Sequence, residues 1–501
     1  MRRHRPANRM GAAWLAALIL LLGTGCAVDQ AREVQIYREV LDTGQVPPPE
    51  AFSPGGTLSL RQAMSLANAN NEQLARAGED YLQALIDKDR AFARFLPTIR
   101  FAPSYMRQEE STLGGGNPLI DEFLRTETTD APLAGDLHLS PVRDVPALKA
   151  AASSAEQRRA LLLDRRAILL LDVAQTYYQV VRSEKQVGVL EHSVRIQQQR
   201  VNDMEVQRRV GVARPVDVAQ TTAQLASTRN ALIQARNDVR NGRAMLAQLM
   251  GVPSVEGPLV AGFDVPDENR SVDDLMKLAE AHRQDLRAAG IRVTAAARRL
   301  EAAWGGYFPS VSLNLNYYLY RESFPDDVDW TGLIQVNLPI FSAGLVHADV
   351  RTAYSRLRQA HLDQSGLRRV VLRQLRTATQ DLDADRLQID QLNIGLAAAR
   401  EAMRQADAAF TAGLGTNLER LVAQDKLLSA ELALTEEQVR HTVDYLRLLR
   451  TAGLLDTALT PLPRNHDDHV PDRGTGPAPP TAATDPPLKP EAVSPGGPAQ
   501  P

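Results

Sequence analysis

Tyr307-Phe308-Pro309-Ser310-Val311-Ser312-Leu313-Asn314-Leu315-Asn316-Tyr317 alternates apolar and polar residues without a break from Val311 onward. A period of two reads as a β-strand. Val311, Leu313, Leu315, Tyr317 and Leu319 share one face; Ser312, Asn314, Asn316, Tyr318 and Tyr320 share the other. The stretch is also a second copy. Phe95-Leu96-Pro97-Thr98-Ile99 through Tyr105 precedes it by a step of 212 residues. Upstream, Leu74, Ala84 and Ala91 return as Leu286, Ala296 and Ala303 at the same step. Downstream the step becomes 202, where Gly211, Asp217, Leu225, Ala231, Leu232 and Gly251 match Gly413, Glu419, Leu427, Ala433, Leu434 and Gly453. Two copies of one long unit point to pseudo-symmetry and a shared geometric task rather than one catalytic centre.

Helices flank the strands. From about Asp144 to Val210 there is no internal glycine except Gly188, beyond Pro146 no proline, and Gly344 to Ala412 repeats the pattern with Gly366 and Gly395. At ~1.5 Å per residue each predicts a helix about 100 Å long. Leu225, Leu232, Val239 and Leu246 fall seven apart, as do Leu432, Val439 and Leu446. Sustained seven-residue steps predict coiled-coil packing. Each long helix reverses at a glycine, in Val210-Gly211-Val212-Ala213-Arg214-Pro215 and Ala412-Gly413-Leu414-Gly415-Thr416. Half-length helices are expected over Leu60 to Phe95, Pro215 to Met250, Asp273 to Gly305 and Asn417 to Leu449.

Further strands are expected where Ile334, Val336, Leu338 and Ile340 alternate with Leu333, Gln335 and Asn337, and where Leu137 and Leu139 alternate with Asp136, His138 and Ser140. Strands with one apolar and one polar face suit a water-filled barrel in lipid; hairpins on a soluble core are the competing reading. Four strands cannot close a barrel, and lipid forbids an open edge. A membrane barrel built from this chain needs several copies.

The ends stand apart. Arg2, Arg3, Arg5 and Arg9, the apolar run Ala12 to Leu22, then Gly23-Thr24-Gly25-Cys26 read as a secretory signal. Cys26 is the single cysteine, so no internal disulfide forms. Small residues before it resemble a bacterial lipobox, in which Cys26 becomes an acylated N-terminus; Gly23 stands where Leu is usual. An ordinary cleaved signal is the alternative. Asp29 to Gly56 reads as a linker, and Thr460 to Pro501, rich in Pro, Gly and Ala, as disordered. His466-Asp467-Asp468-His469 reads as a solvated stretch rather than a metal site. The expected division is signal 1–25, lipidated linker 26–56, first repeat 57–255 (strands about 96–107 and 135–142), connector 256–272, second repeat 273–455 (strands about 309–320 and 332–341) and disordered tail 456–501.

A net charge of −3, no basic tract and few aromatics argue against nucleic-acid binding. There is no metal-binding His-Glu-x-x-His helix, no phosphate loop and no cysteine pair, and nine histidines lie scattered. No catalytic role and no cofactor are expected.

The twofold repeat, Pro-led strands, Gly-turn tips followed by an acid, and Asn337-Leu338-Pro339-Ile340-Phe341-Ser342-Ala343-Gly344 resemble the TolC-type outer membrane efflux family over roughly Leu58 to Leu455. Cys26 is similar to the family's lipoprotein branch. In the first repeat Leu139-Ser140-Pro141-Val142-Arg143-Asp144 has no glycine matching Gly344, so a different strand exit is expected. The resemblance implies a mainly α fold with membrane β: a periplasmic α-barrel of long antiparallel coiled-coil helices, and four strands per chain in a shared twelve-strand outer-membrane barrel. It implies a homotrimer held in outer-membrane lipid, a periplasmic adaptor docked at the Gly211 and Gly413 tips, and an inner-membrane pump. It also implies a periplasmic gate, with Glu419 as an acidic ring residue (Val422 standing where a second acid is usual) and Asp217 as a latch residue whose aromatic partner is Phe410. Arg214 and Arg420 are nearby ion-pair candidates; a solvated helix-turn charge is the competing reading of each. Small-molecule efflux is the expected function. A type I protein-secretion conduit and a non-pore envelope coiled coil remain the alternatives.

Overall fold

The computed structural model describes residues 28–42, 52–109, 126–262, 265–266 and 270–455. Cys26, the signal and the tail with its His-Asp-Asp-His stretch lie outside them. In chain order the elements are α1 (Gln30–Asp42), α2 (Leu60–Asn70), α3 (Glu72–Ala93), β1 (Thr98–Phe101), β2 (Ser104–Arg107), β3 (Glu127–Leu139), α4 (Pro141–Arg209), α5 (Pro215–Met250), α6 (Val272–His282), α7 (Gln284–Trp304), β4 (Ser310–Arg321), β5 (Trp330–Asn337), α8 (Leu345–Thr411) and α9 (Asn417–Thr451). α4 has 69 residues and α8 has 67, about 100 Å each at ~1.5 Å per residue.

The sheet is antiparallel in the order β1-β3-β4-β5, with β2 continuing the β1 edge along β3. Its register stacks the apolar positions into one continuous face. Leu139 and Leu137 sit opposite Val311 and Leu313, which sit opposite Val336 and Ile334; Ile99 and Phe101 join beside Gly135 and Leu133. Among the described residues that face has no cover: Ile99, Ile334 and Val336 are 69%, 71% and 65% exposed. Polar partners Thr98, Asp136, Asn314 and Ser312 line the other face.

Three expectations need correction. β3 starts at Glu127, eight residues before the strand expected at 135, and it ends at Leu139 rather than 142. Pro132 hid its first half, because a bulge at Ala131/Pro132 breaks the alternation there. β5 ends at Asn337 rather than at 341. The two upper half-helices are each broken. Asn71 and Arg283 adopt extended backbone, splitting α2 from α3 and α6 from α7. The breaks are themselves a repeat, 212 residues apart. Asn71 Nδ2 donates to the Leu249 carbonyl at 3.0 Å, and Arg283 Nη1 to the Thr451 carbonyl at 3.1 Å. Each break therefore staples its half-helix to the end of the returning helix.

The third correction concerns the segment read as a linker. Part of it is α1, whose Tyr37 and Leu41 are 3% and 0% exposed. Tyr37 lies on Gly78, where a Cβ would come 2.4 Å from Tyr37 Cδ2. The buried Arg166 donates from Nη1 to the Leu41 carbonyl at 2.8 Å. Burying a guanidinium is costly without such a partner, so α1 is fixed at its end. It joins the main core, where Leu66 of α2, Leu74 of α3, Leu170 and Tyr177 of α4, Leu246 of α5 and Leu446 of α9 meet. The Tyr177 hydroxyl lies 2.8 Å from the Leu58 carbonyl and 2.9 Å from that of Val260, which joins the strand-like approach to the first repeat to the connector.

The strand exits differ, as the missing first-repeat glycine predicts. β3 runs into α4 with Pro141 at its first turn and Asp144 Oδ2 accepting from the Ser140 amide at 2.8 Å. Before α8, Ala343 and Gly344 are both left-handed, with φ of 49° and 82°. No described helix is long and apolar enough to cross a membrane.

Candidate functional site: the two helix tips

Both long helices turn back at a glycine with positive φ, Gly211 at 77° and Gly413 at 71°. Glycine enters this region without the Cβ penalty. Neither tip glycine has an atom within 4 Å of where a Cβ would stand. The constraint there is backbone conformation, not crowding. The tips carry exposed apolar side chains: Val210 is 70% exposed, Val212 76% and Leu414 88%.

The acids predicted for the gate both sit at N3 of the returning helices. Glu419 Oε2 accepts from the Thr416 amide at 2.9 Å, while Thr416 Oγ1 accepts from the Glu419 amide at 3.2 Å. This is a capping box, and it saturates amides that a helix start leaves free. Glu419 is exposed. Asp217 is buried, and its carboxylate is held by Arg214, with Nε to Oδ2 and Nη2 to Oδ1 both at 3.0 Å. Those side-chain hydrogen bonds outweigh burial and hold the Asp217 carboxyl below the usual carboxylate range. The Arg214 pairing expected from sequence is thus present. Phe410 is the aromatic partner that sequence expects for Asp217. Phe410 lies under the Arg420 guanidinium, 4.0 Å from the ring centroid.

Arg420, the other ion-pair candidate, is the centre of a contact set whose other members sequence reasoning did not single out. Its Nη2 donates to Asn417 Oδ1 at 3.1 Å, and its Nη1 lies 3.9 Å from Asp407. Arg200, on α4, shares Asp407 at 3.6 Å and also donates to Gln424 of α9. Burial and the charge of Arg200 push Arg420 below the usual guanidinium range. Asn417 Nδ2 crosses to the first repeat, reaching the Asp217 carbonyl at 3.3 Å and Thr221 Oγ1 at 3.2 Å. The two tips are therefore joined by Asn417, not by their acids. The available signal was spacing: Asn417 and Arg420 lie one turn apart beside the second tip. Among the described residues no group of acids, histidines or cysteines could hold a metal ion.

This architecture of repeated strands, ~100 Å helices and glycine tips has close counterparts. The sequence pattern described as "Outer membrane efflux protein" matches residues 63–252 and 275–454. The chain belongs to the outer membrane efflux protein family. The two matched segments coincide with its two repeats. The proteases secretion protein PrtF of Dickeya chrysanthemi is 24% identical over 80% of this chain and 89% of its own length. The pyoverdine export outer membrane protein OpmQ of Pseudomonas putida is 25% identical over 74% and 81%. The CmeC outer membrane channel of Campylobacter jejuni superposes with a TM-score of 0.70 at 16% identity, covering 79% of this chain and 86% of that one. The family's members are outer-membrane channels of Gram-negative bacteria.

Proposed function

We propose that this chain is the outer-membrane conduit of a tripartite efflux system for small molecules and that it does no catalysis of its own. One observation carries the reading. A sheet with an uncovered apolar face and two open edges sits on ~100 Å helices that end in paired, apolar glycine tips. The uncovered face suits lipid, and the open edges call for further copies. Three chains of four strand spans each would close a twelve-strand barrel. The Gly211 and Gly413 tips would receive a periplasmic adaptor carrying an inner-membrane pump. Three Glu419 carboxylates would ring the periplasmic aperture, with Asp217 behind them. Cys26 would carry acyl chains in the outer membrane; mass spectrometry of the mature N-terminus before and after Cys26→Ser decides this.

A second reading, a type I protein-secretion conduit, is supported by the length of the match to PrtF. Deleting the gene separates the two. Efflux predicts that cells retain a fluorescent small-molecule substrate while protein export continues. Retention of secreted protein with unchanged dye export would overturn it.

A further inference from the structure

α1 rests in a seat that three helices of the first repeat build. The Tyr37 ring lies on Gly78 of α3. Arg38 Nη1 donates to the Asn68 carbonyl of α2 at 3.3 Å. The buried Arg166 of α4 donates to the Leu41 carbonyl at 2.8 Å. The repeat steps place the same three points in the second half. The step of 212 takes Gly78 to Gly290 of α7 and Asn68 to Glu280 of α6, and the step of 202 takes Arg166 to Arg368 of α8. Whole elements match as well, since α2 and α6 begin and end 212 residues apart. At the second set of points there is no helix but a cleft of about 940 Å³ between α6, α7 and α8.

The cleft keeps the marks of an unfilled seat. Gly290 has only the Gln364 amide nearby, 3.5 Å from where a Cβ would stand. A glycine inside a helix weakens it, and no close approach within the chain requires this one. Arg368 is exposed and holds the equally exposed Glu280, Nη2 to Oε1 at 2.7 Å. Such a pair is weak in water and yields to a better partner. Among the described residues the chain offers no helix for this place. α1 is already seated. The connector between α5 and α6 is tied to the first repeat: the Glu256 amide donates to the Pro54 carbonyl at 2.8 Å, and the Val260 amide to the Leu58 carbonyl at 3.1 Å. Leu286 and Leu362 give the cleft apolar surface, Leu362 being 68% exposed. Arg287, Arg358 and Arg368 make it basic, with Glu280 the only acid in its lining. Arg358 pairs with no acid among the described residues.

We propose that this cleft is the docking seat for a short, acidic, amphipathic helix of a separate periplasmic protein. That helix would set an aromatic side chain on Gly290, as Tyr37 sits on Gly78, and move the Gln364 amide aside. Its last carbonyls would take Arg368 from Glu280, as Leu41 takes Arg166. Its carboxylates would face Arg358. α1 shows the required composition in thirteen residues, with Tyr37 among Glu33, Glu39 and Asp42. The seat lies roughly 65 Å along α8 from the Gly413 tip, at ~1.5 Å per residue, so it is a contact surface separate from the tips. It follows from the fold and the repeat; only the partner's compartment rests on the outer-membrane channel reading.

The test uses the full-length oligomer purified in detergent, with Ser365→Cys in the cleft. The parent chain reports any labelling of Cys26. A bulky maleimide should react rapidly with the introduced thiol. The probe is a peptide of the α1 sequence Gln30–Asp42, hydrocarbon-stapled between positions 31 and 35, both exposed in α1. Saturating peptide should slow labelling at least tenfold. The same peptide carrying Tyr37→Ala should not, and Gly290→Leu or Arg368→Glu in the protein should abolish the protection. Slow labelling before any peptide is added would mean that the assembly fills the seat itself, and overturns the proposal. Rapid labelling that millimolar peptide leaves unchanged overturns it too, as does protection that survives both Gly290→Leu and Arg368→Glu. None of these outcomes bears on conductance, so the channel reading stands or falls separately.

Discussion

One substitution can separate the observed capping role of Glu419 from its proposed role at the aperture. Its carboxylate closes the capping box of α9, and in a trimeric aperture it would also attract cations. Glutamine keeps the N3 cap and removes the charge. Glu419→Gln should therefore assemble normally but shift the reversal potential under a salt gradient toward zero, most at low salt where screening is weak. An unchanged reversal potential would place the gate's charge elsewhere. Asp217 is set apart by Arg214. Its lowered pKa means that its contribution to tip stability is full at neutral pH. That contribution fades only as pH falls below the unfolded aspartate value and through the folded one. At this scale the sequence was a partial guide. The repeat step aligned both acids, and Arg214 and Arg420 stood beside them as ion-pair candidates. It could not show that Phe410 faces Arg420, or that Arg200 crosses from α4 to Asp407, because such contacts depend on how two coiled hairpins rotate against one another.

The long elements were legible because their signals are long. An unbroken helical run and a strict alternation survive any local exception, and the ends of α5 agree with the Pro215 and Gly251 signals. Short features were not. Pro132 masked half of β3, and the breaks at Asn71 and Arg283 carry neither glycine nor proline. The amphipathic α1 was overlooked because it lies between unpatterned stretches. Its anchor gives a prediction. Tyr37→Ala removes a ring buried against Gly78 and should cost about 3 kcal/mol or more of α1 docking. Limited proteolysis should then cut near residues 28–42 much faster than in the parent, while the rest of the body resists. The tips give another. Gly413 holds φ of 71° in open space. Gly413→Trp therefore strains the turn and enlarges the tip without touching the core. Adaptor cross-linking and export should fall, with oligomer mass unchanged. Normal export from this variant and from Gly211→Trp would make the tips simple helix reversals.

For the whole molecule, the repeat is both the strongest sequence signal and the organising fact of the structure. It pairs α4 with α7 inside the chain. It also leaves a sheet with two free edges and one uncovered apolar face. On the proposed reading the chain is a segment of a wall, and its environment would supply lipid and further copies. Under the proposed assembly the sequence could not display the closure itself, since that geometry would exist only between chains. Single-channel recording of the purified native protein in a planar lipid bilayer tests the pore directly. The account predicts discrete, uniform conductance steps from the oligomer, with cations preferred over anions. Well-folded oligomer that inserts into the bilayer but passes no ions, even when the tip contacts of Asn417 and Arg420 are removed by substitution, would contradict it.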